Sequence, residues 1–204
     1  MQSIQKYDDI NLAGYGNLSG KTRSEIRKIS SGNLILVGMM GSGKTTMAKS
    51  LARHLGKTFV DSDDEITART GVTIPHIFDV EGEAGFRQRE TTAIQELIGR
   101  DNMVLATGGG AVLLEENRNL LKKNGIVIYL KASAHDLWQR TRHDRSRPLL
   151  QTEDPHAKLK ELLRQREPLY LEIADITIQS GKQSARVLML RLVEEIEKYR
   201  MQAG

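Results

Sequence analysis

The residues Gly38-Met39-Met40-Gly41-Ser42-Gly43-Lys44-Thr45 fit the spacing G-x-x-x-x-G-K-[ST]. Glycines at these places let successive backbone N–H groups turn inward around phosphate oxygens, with no Cβ blocking the approach. A helix starting near Lys44 adds its unpaired amides and the positive end of its dipole. Lys44 is then placed to reach the β- and γ-phosphates of a nucleoside triphosphate, and the Thr45 hydroxyl to ligate Mg²⁺. The nucleotide set expected here is Gly41, Ser42, Gly43, Lys44, Thr45 and Thr46. A similar run, Gly16-Asn-Leu-Ser-Gly20-Lys21-Thr22, has one residue too few between its glycines and follows no apolar strand. It is a decoy.

A phosphate-binding loop alone leaves kinase, motor, GTPase and transporter ATPase open. Three further features narrow the choice. Asp61 and Asp63 follow an apolar stretch two residues apart, so an extended backbone through Ser62 puts both carboxylates on one side. Two carboxylates at the carboxyl edge of a sheet suit Mg²⁺ and a hydroxyl acceptor, while capping of a helix by Asp63 or Asp64 is the plainer alternative. Gly108-Gly109-Gly110 follows another apolar run and lets backbone amides approach a ligand, or serves as a loop hinge. Arg140, Arg142, Arg145 and Arg147 crowd one polar segment, where like charges repel unless an anion draws them together. That reads as a lid over a triphosphate, with a solvated charged turn as the alternative.

The elements that position these groups alternate. Apolar runs read as strands at Leu34–Val37, Thr58–Asp61, Met103–Ala106, Ile126–Leu130 and Ala174–Ile178. Helical patterns cover Thr45–Leu55, Glu83–Ile98, Glu115–Lys123, Ala134–Arg142, Pro155–Arg166 and Ser184–Arg200. Strands and helices in alternation predict an α/β fold of three layers, α/β/α, around a five-stranded parallel sheet.

Two hundred and four residues suit one domain of this kind. Residues 1–32 are polar and glycine-bearing with no sustained apolar period, and are expected to form a flexible N-terminal arm. The absence of cysteine excludes a zinc-thiolate site, a disulfide framework and a cysteine nucleophile. A net charge of +4 suits an anionic ligand, but aromatics at 4% argue against a nucleic-acid surface. No run of about 18 apolar residues predicts a membrane span. The five histidines show no ligand spacing, and Trp138 reads as a core residue. A monomer acting in the cytoplasm is the expected setting.

Taken in order, Gly38–Thr45, Asp61-Ser-Asp63, Phe86-Arg87-x-x-Glu90, Gly108–Gly110, Arg147-Pro-Leu-Leu150 and Arg166-Glu-Pro168-Leu-Tyr170 resemble the shikimate kinase family. The resemblance runs from about Leu34 to the carboxyl terminus, so residues 33–204 are expected to form one kinase domain with a mobile lid at about 142–155. It implies transfer of a phosphoryl group from ATP to the 3-hydroxyl of shikimate. It further implies that Asp63 holds the hydroxyls and accepts the proton from the attacking one, with Lys44 and Arg147 completing the catalytic set. Thr45 and Asp61 serve Mg²⁺. Arg87 and Arg166 grip the substrate carboxylate, Gly108, Gly109 and Gly110 donate amides nearby, and Phe78 and Phe86 pack beside the ring. Arg140 stacks on adenine, Arg147 meets phosphate as the lid closes, and the segment around Gln183 borders the base. The proline often found in that segment is Ala185 here, a departure from the family pattern. A kinase for another hydroxy acid such as gluconate, or an inactive ATP-binding module, are the competing readings.

Overall fold

The computed structural model describes residues 32–144, 147–181 and 183–203. The decoy glycine run, Arg145, Lys182 and all but the last residue of the expected arm lie outside them. Strand β1 (Leu34–Val37) is buried on both faces, which is why its four residues are all apolar. Four more strands join it: β2 (Thr58–Asp61), β3 (Met103–Ala106), β4 (Ile126–Lys131) and β5 (Ile176–Gln179). The sheet is wholly parallel in the order β2-β3-β1-β4-β5, with Leu36 opposite Ala106 on one side and Ile128 on the other.

Side chains alternate across the sheet and so build two cores. Leu34 and Leu36 pack with α1 (Lys44–Leu55) and α7 (Ala185–Ala203). Ile35 and Val37 face α3 (Ile74–Leu97), α4 (Glu115–Asn124), α5 (Ala134–Thr141) and α6 (Pro155–Ile173). The expected three-layer α/β/α architecture is therefore present. A smaller cluster of Ile66, Ile77, Phe86 and Ala93 joins α2 (Ser62–Thr70) to α3. No helix among the described residues is long and apolar enough to cross a membrane.

Several boundaries differ from the sequence expectation. Helix α2 answers the alternative of a capped helix after β2, with Asp61 as the cap in place of Asp63 or Asp64; only Ser62 and Ile66 of its residues are buried, so its apolar period is weak. Helix α3 starts nine residues early, at Ile74 against Glu83, and bends at Gly82, where φ is 69°. Helix α6 does not stop at Arg166. It runs through Pro168, which loses one backbone bond but stands exposed, while Tyr170 and Ile173 beyond it are buried. Strand β5 is shifted to Ile176–Gln179.

Strands β2 and β3 lie on one side of β1, and β4 and β5 on the other. The chain therefore leaves β1 in opposite directions, and the crevice above its carboxyl end is where such sheets bind ligands.

Candidate active site

The loop after β1 takes its shape from glycine. Gly38, Gly41 and Gly43 have φ of 142°, 79° and 96°, values closed to most side chains. Lys44 opens α1 and folds over this loop, donating to the carbonyls of Gly38 (2.8 Å) and Met39 (3.0 Å). Burial lowers its pKa to about 8, against the attraction of Asp63 and Asp61. Ser42 is buried beneath the loop, and Thr45 and Thr46 are exposed at its mouth. Thr45 Oγ1 donates to Asp61 Oδ2 at 2.8 Å, so two hard oxygen donors stand together. Such a pair fits a small divalent cation that keeps most of its waters.

Asp61 and Asp63 do share a site, but not by an extended backbone. The helix begins at Ser62, and Asp61 is its cap, accepting from the Asp63 N–H at 3.0 Å. Asp63 is half-buried as a residue, yet its Oδ1 is sealed from solvent with no partner. Burial, with the charges of Asp61 and Glu90, pushes its pKa up to about 7, while Lys44 and Arg87 pull the other way.

The glycine triplet is explained by its neighbours. A Cβ on Gly108 would collide with Glu90 Oε1 and stand 2.8 Å from Asp63 Oδ1, and one on Gly110 would collide with the Arg87 guanidinium. The Gly108 N–H already donates to Ser62 Oγ at 2.9 Å, which leaves Gly109 and Gly110 as the amides free to meet a ligand. Arg87 makes ion pairs with Glu83 (2.9 Å) and Glu90 (2.6 Å). Burial alone would lower its pKa, but these carboxylates outweigh it and hold the group above its ordinary value. Arg166 is buried on α6, with Nε and Nη1 without a hydrogen-bond partner among the described residues, and desolvation lowers its pKa.

Asp63, Phe78, Phe86, Arg87, Gly108, Gly109, Gly110, Arg147 and Arg166 all line one cleft of about 370 Å³. Phe78 and Phe86 lie 4.8 Å apart between ring centroids and form its apolar wall. The cleft is thus lined by carboxylates, which take hydrogen-bond donors, and by guanidinium groups, which take an acceptor. A small acid carrying hydroxyl groups answers both needs.

The arginine segment divides. Arg147 enters the cleft and donates to Asp144 at 2.8 Å. Arg140 lies across two loops, donating to the carbonyls of Gly41 (3.2 Å), Ser42, Ser180 and Gly181. Arg142 turns away and sits over the Trp138 ring. Each of these three has its own partner, so mutual repulsion is met without one shared anion. Trp138 is half-buried at the core edge and also contacts His135 and His156. Gln183 accepts from Arg191 and donates to the Gln179 carbonyl beside the loop that leads into α7.

The residue roles read from the sequence left Glu90, Ser62 and Tyr170 unassigned. Glu90 is fully buried against Arg87, and its spacing of three from Arg87 was the available signal. Thr67, Thr73, Ile74 and Pro75 also line the cleft, from α2 and the start of α3.

Residues 40–197 match the family model described as Shikimate kinase. A relative from Nitrosospira multiformis named Shikimate kinase is 57% identical over 169 residues, covering 83% of this chain and 87% of that protein. The solved structure titled shikimate kinase from Acinetobacter baumannii in complex with shikimate is 46% identical, with a TM-score of 0.84, over 88% of this chain and 99% of that one. A gluconokinase structure from Sinorhizobium meliloti shares the fold alone, at 15% identity and a TM-score of 0.56 over 85% of this chain and 98% of that one. The family match and the 57% identity extend over most of the strands and helices that build the cleft, and this chain belongs to the shikimate kinase family.

Proposed function

We propose that this chain transfers the γ-phosphoryl group of ATP to the 3-hydroxyl of shikimate, giving ADP and shikimate 3-phosphate. One observation carries the reading: the carboxylates of Asp63 and Glu90 and the guanidinium groups of Arg87 and Arg166 line one small cleft beside the phosphate-binding loop, with some of their polar atoms unpaired among the described residues. Arg87 and Arg166 hold the acid's carboxylate, each guanidinium presenting donors in a planar fork. The Gly109 and Gly110 amides join them. Phe78 and Phe86 cover the ring.

Asp63 orients the attacking hydroxyl and its carboxylate takes the proton as the oxygen bonds to phosphorus. The bond from the γ-phosphorus to the β,γ-bridging oxygen breaks, and the electron pair leaves with ADP. Lys44 and Arg147 neutralise charge on the phosphoryl oxygens. Ser42, Gly41, Gly43 and Thr46 cradle the phosphates, while Arg140 and Gln183 border the base. Thr45 and Asp61 would hold Mg²⁺, which supplies further charge neutralisation when bound. Closure of the segment at about 142–155 carries Arg147 inward and excludes water. The same reading takes the enzyme as a cytoplasmic monomer.

The test is ADP release with Mg²⁺ and ATP, comparing shikimate, gluconate and no acceptor. Release with shikimate alone is expected. Release with gluconate alone would move the assignment to another hydroxy-acid kinase, and ATP binding without release would leave an inactive module.

A further inference from the structure

We propose that Tyr170 is a positioning residue: its hydroxyl locks the acceptor-side glycine loop to the phosphate-binding loop, and phosphoryl transfer depends on that lock. The inference rests on the function proposed above. Tyr170 is fully buried on α6. Its hydroxyl donates to the Gly109 carbonyl at 2.5 Å and lies 3.6 Å from Met39 Sδ. One phenol therefore touches the loop after β3 and the loop after β1 at once. Gly109 in turn rides directly on the second loop, since a Cβ there would stand 3.2 Å from the Met40 nitrogen and 3.5 Å from the Gly38 carbonyl. The two backbones meet with no side chain between them, and Tyr170 closes the joint from the core side.

The anchor is itself held. Tyr129 of β4 stacks on the Tyr170 ring, with centroids 5.0 Å apart and planes 24° apart. Burial raises the phenol pKa, despite the charge of Arg166 and its side-chain hydrogen bond to the phenol, so the hydroxyl stays a donor at neutral pH. Arg166 sits one turn earlier on the same helix face. A shift of α6 that freed the phenol would also move a group that grips the acid.

Each loop can bind its own ligand without the other. Transfer needs more: reacting atoms about 3–3.5 Å apart and in line, and a displacement of about 1 Å can cost about 100-fold in rate. The lock therefore acts on the chemical step above all, and on acid binding only through the contact of the phenol with Arg166.

The test is Tyr170→Phe, which keeps the ring and its stack and removes one hydroxyl. Turnover is counted per chain that binds ADP by calorimetry, so misfolded protein drops out of the measurement. The expected result is turnover per competent chain down by at least about tenfold, with ADP affinity within about threefold of the parent and any rise in the KM for shikimate smaller than the fall in turnover. Tyr129→Phe, which leaves the Tyr170 hydroxyl in place, is expected to turn over as the parent does. Parental turnover per competent chain in Tyr170→Phe overturns the inference, as does an equal fall in Tyr129→Phe, which would assign the effect to packing. A parent that releases no ADP with shikimate overturns the proposed function and this inference with it.

Discussion

Thr45 Oγ1 donates to Asp61 Oδ2 over 2.8 Å, joining the first turn of α1 to the end of β2. The other Asp61 oxygen caps α2 through the Asp63 N–H. One carboxylate therefore ties the cation side of the site to the acceptor side. The two groups assigned to Mg²⁺ already touch, and the base assigned to the acceptor hangs from the same residue.

Substituting Asp61 by Asn separates these duties. Asn caps helices about as well as Asp, so α2 is expected to keep its start and the melting temperature to stay within about 2 °C. Loss of the charge weakens attraction for a divalent cation. The apparent Mg²⁺ requirement at saturating ATP is expected to rise by about tenfold, with the KM for shikimate little changed. A Mg²⁺ titration of ADP release checks it, and an unaltered requirement would leave Asp61 as a cap alone.

Asp63→Asn should gain stability while losing function. The folded carboxyl titrates at about 7 against an ordinary value of 3.8, because burial and the charges of Asp61 and Glu90 disfavour the anion. The stability tied to this group is fully present below about pH 4 and is lost as pH rises through about 7. Asn does not ionise and escapes that loss. At pH 8 the variant is expected to melt about 5 °C above the parent, a gap that closes near pH 4. Turnover is expected to fall by at least about 100-fold with ATP affinity kept. Thermal melts at both pH values and initial rates decide the matter; a variant no more stable at pH 8 would contradict the buried anion.

The same two titrations bound the rate profile. Asp63 must be ionised to take a proton, so kcat/KM for shikimate is expected to fall about tenfold per pH unit on the acid side, from a midpoint at or below about 7 because Mg²⁺ held at Asp61 would favour the anion. Lys44 titrates at about 8 in the free protein, so ATP affinity is expected to weaken above that value. Bound triphosphate raises the Lys44 pKa again, which moves the alkaline limb of kcat to higher pH than that of ATP binding. Rates and ATP affinities from pH 5.5 to 9.5 check both limbs, and a flat acid limb would remove Asp63 as the base.

What the sequence disclosed follows from how local each signal is. The run Leu34–Val37 and the glycine spacing after it are short-range patterns, and both stand where the strand and loop were expected. The geometry of Asp63 was not legible, because whether the backbone at Ser62 extends or coils depends on packing of Ile66 into a cluster with Phe86. The glycine triplet was visible, but its reason was not. Glu90 and Arg87 crowd it from a helix some twenty residues earlier in the chain. The sequence pattern ends this helix at Arg166, and the buried Tyr170 and Ile173 beyond Pro168 carry it on. The partners of the arginine segment were not legible either: carbonyls of Gly41 and Gly181, Asp144 and the Trp138 ring are brought near only by the fold.

The fit between Gly110 and Arg87 gives the last prediction. A Cβ at Gly110 would overlap the Arg87 guanidinium, which is pinned by Glu83 and Glu90 and cannot retreat without breaking an ion pair. Gly110→Ala is therefore expected to push Arg87 off its seat and raise the KM for shikimate by about 10–100-fold, the worth of one charged hydrogen-bonded contact. Arg87→Lys removes the fork but not the charge, and is expected to raise the same KM by a similar factor. Because both changes act on one contact, the double variant should be little worse than either single one. ATP affinity should be unmoved throughout, since Lys44 and its loop belong to another strand. Steady-state kinetics on the two single variants and the double variant check it, and independent, multiplying effects would show that Gly110 serves the substrate by some route other than Arg87.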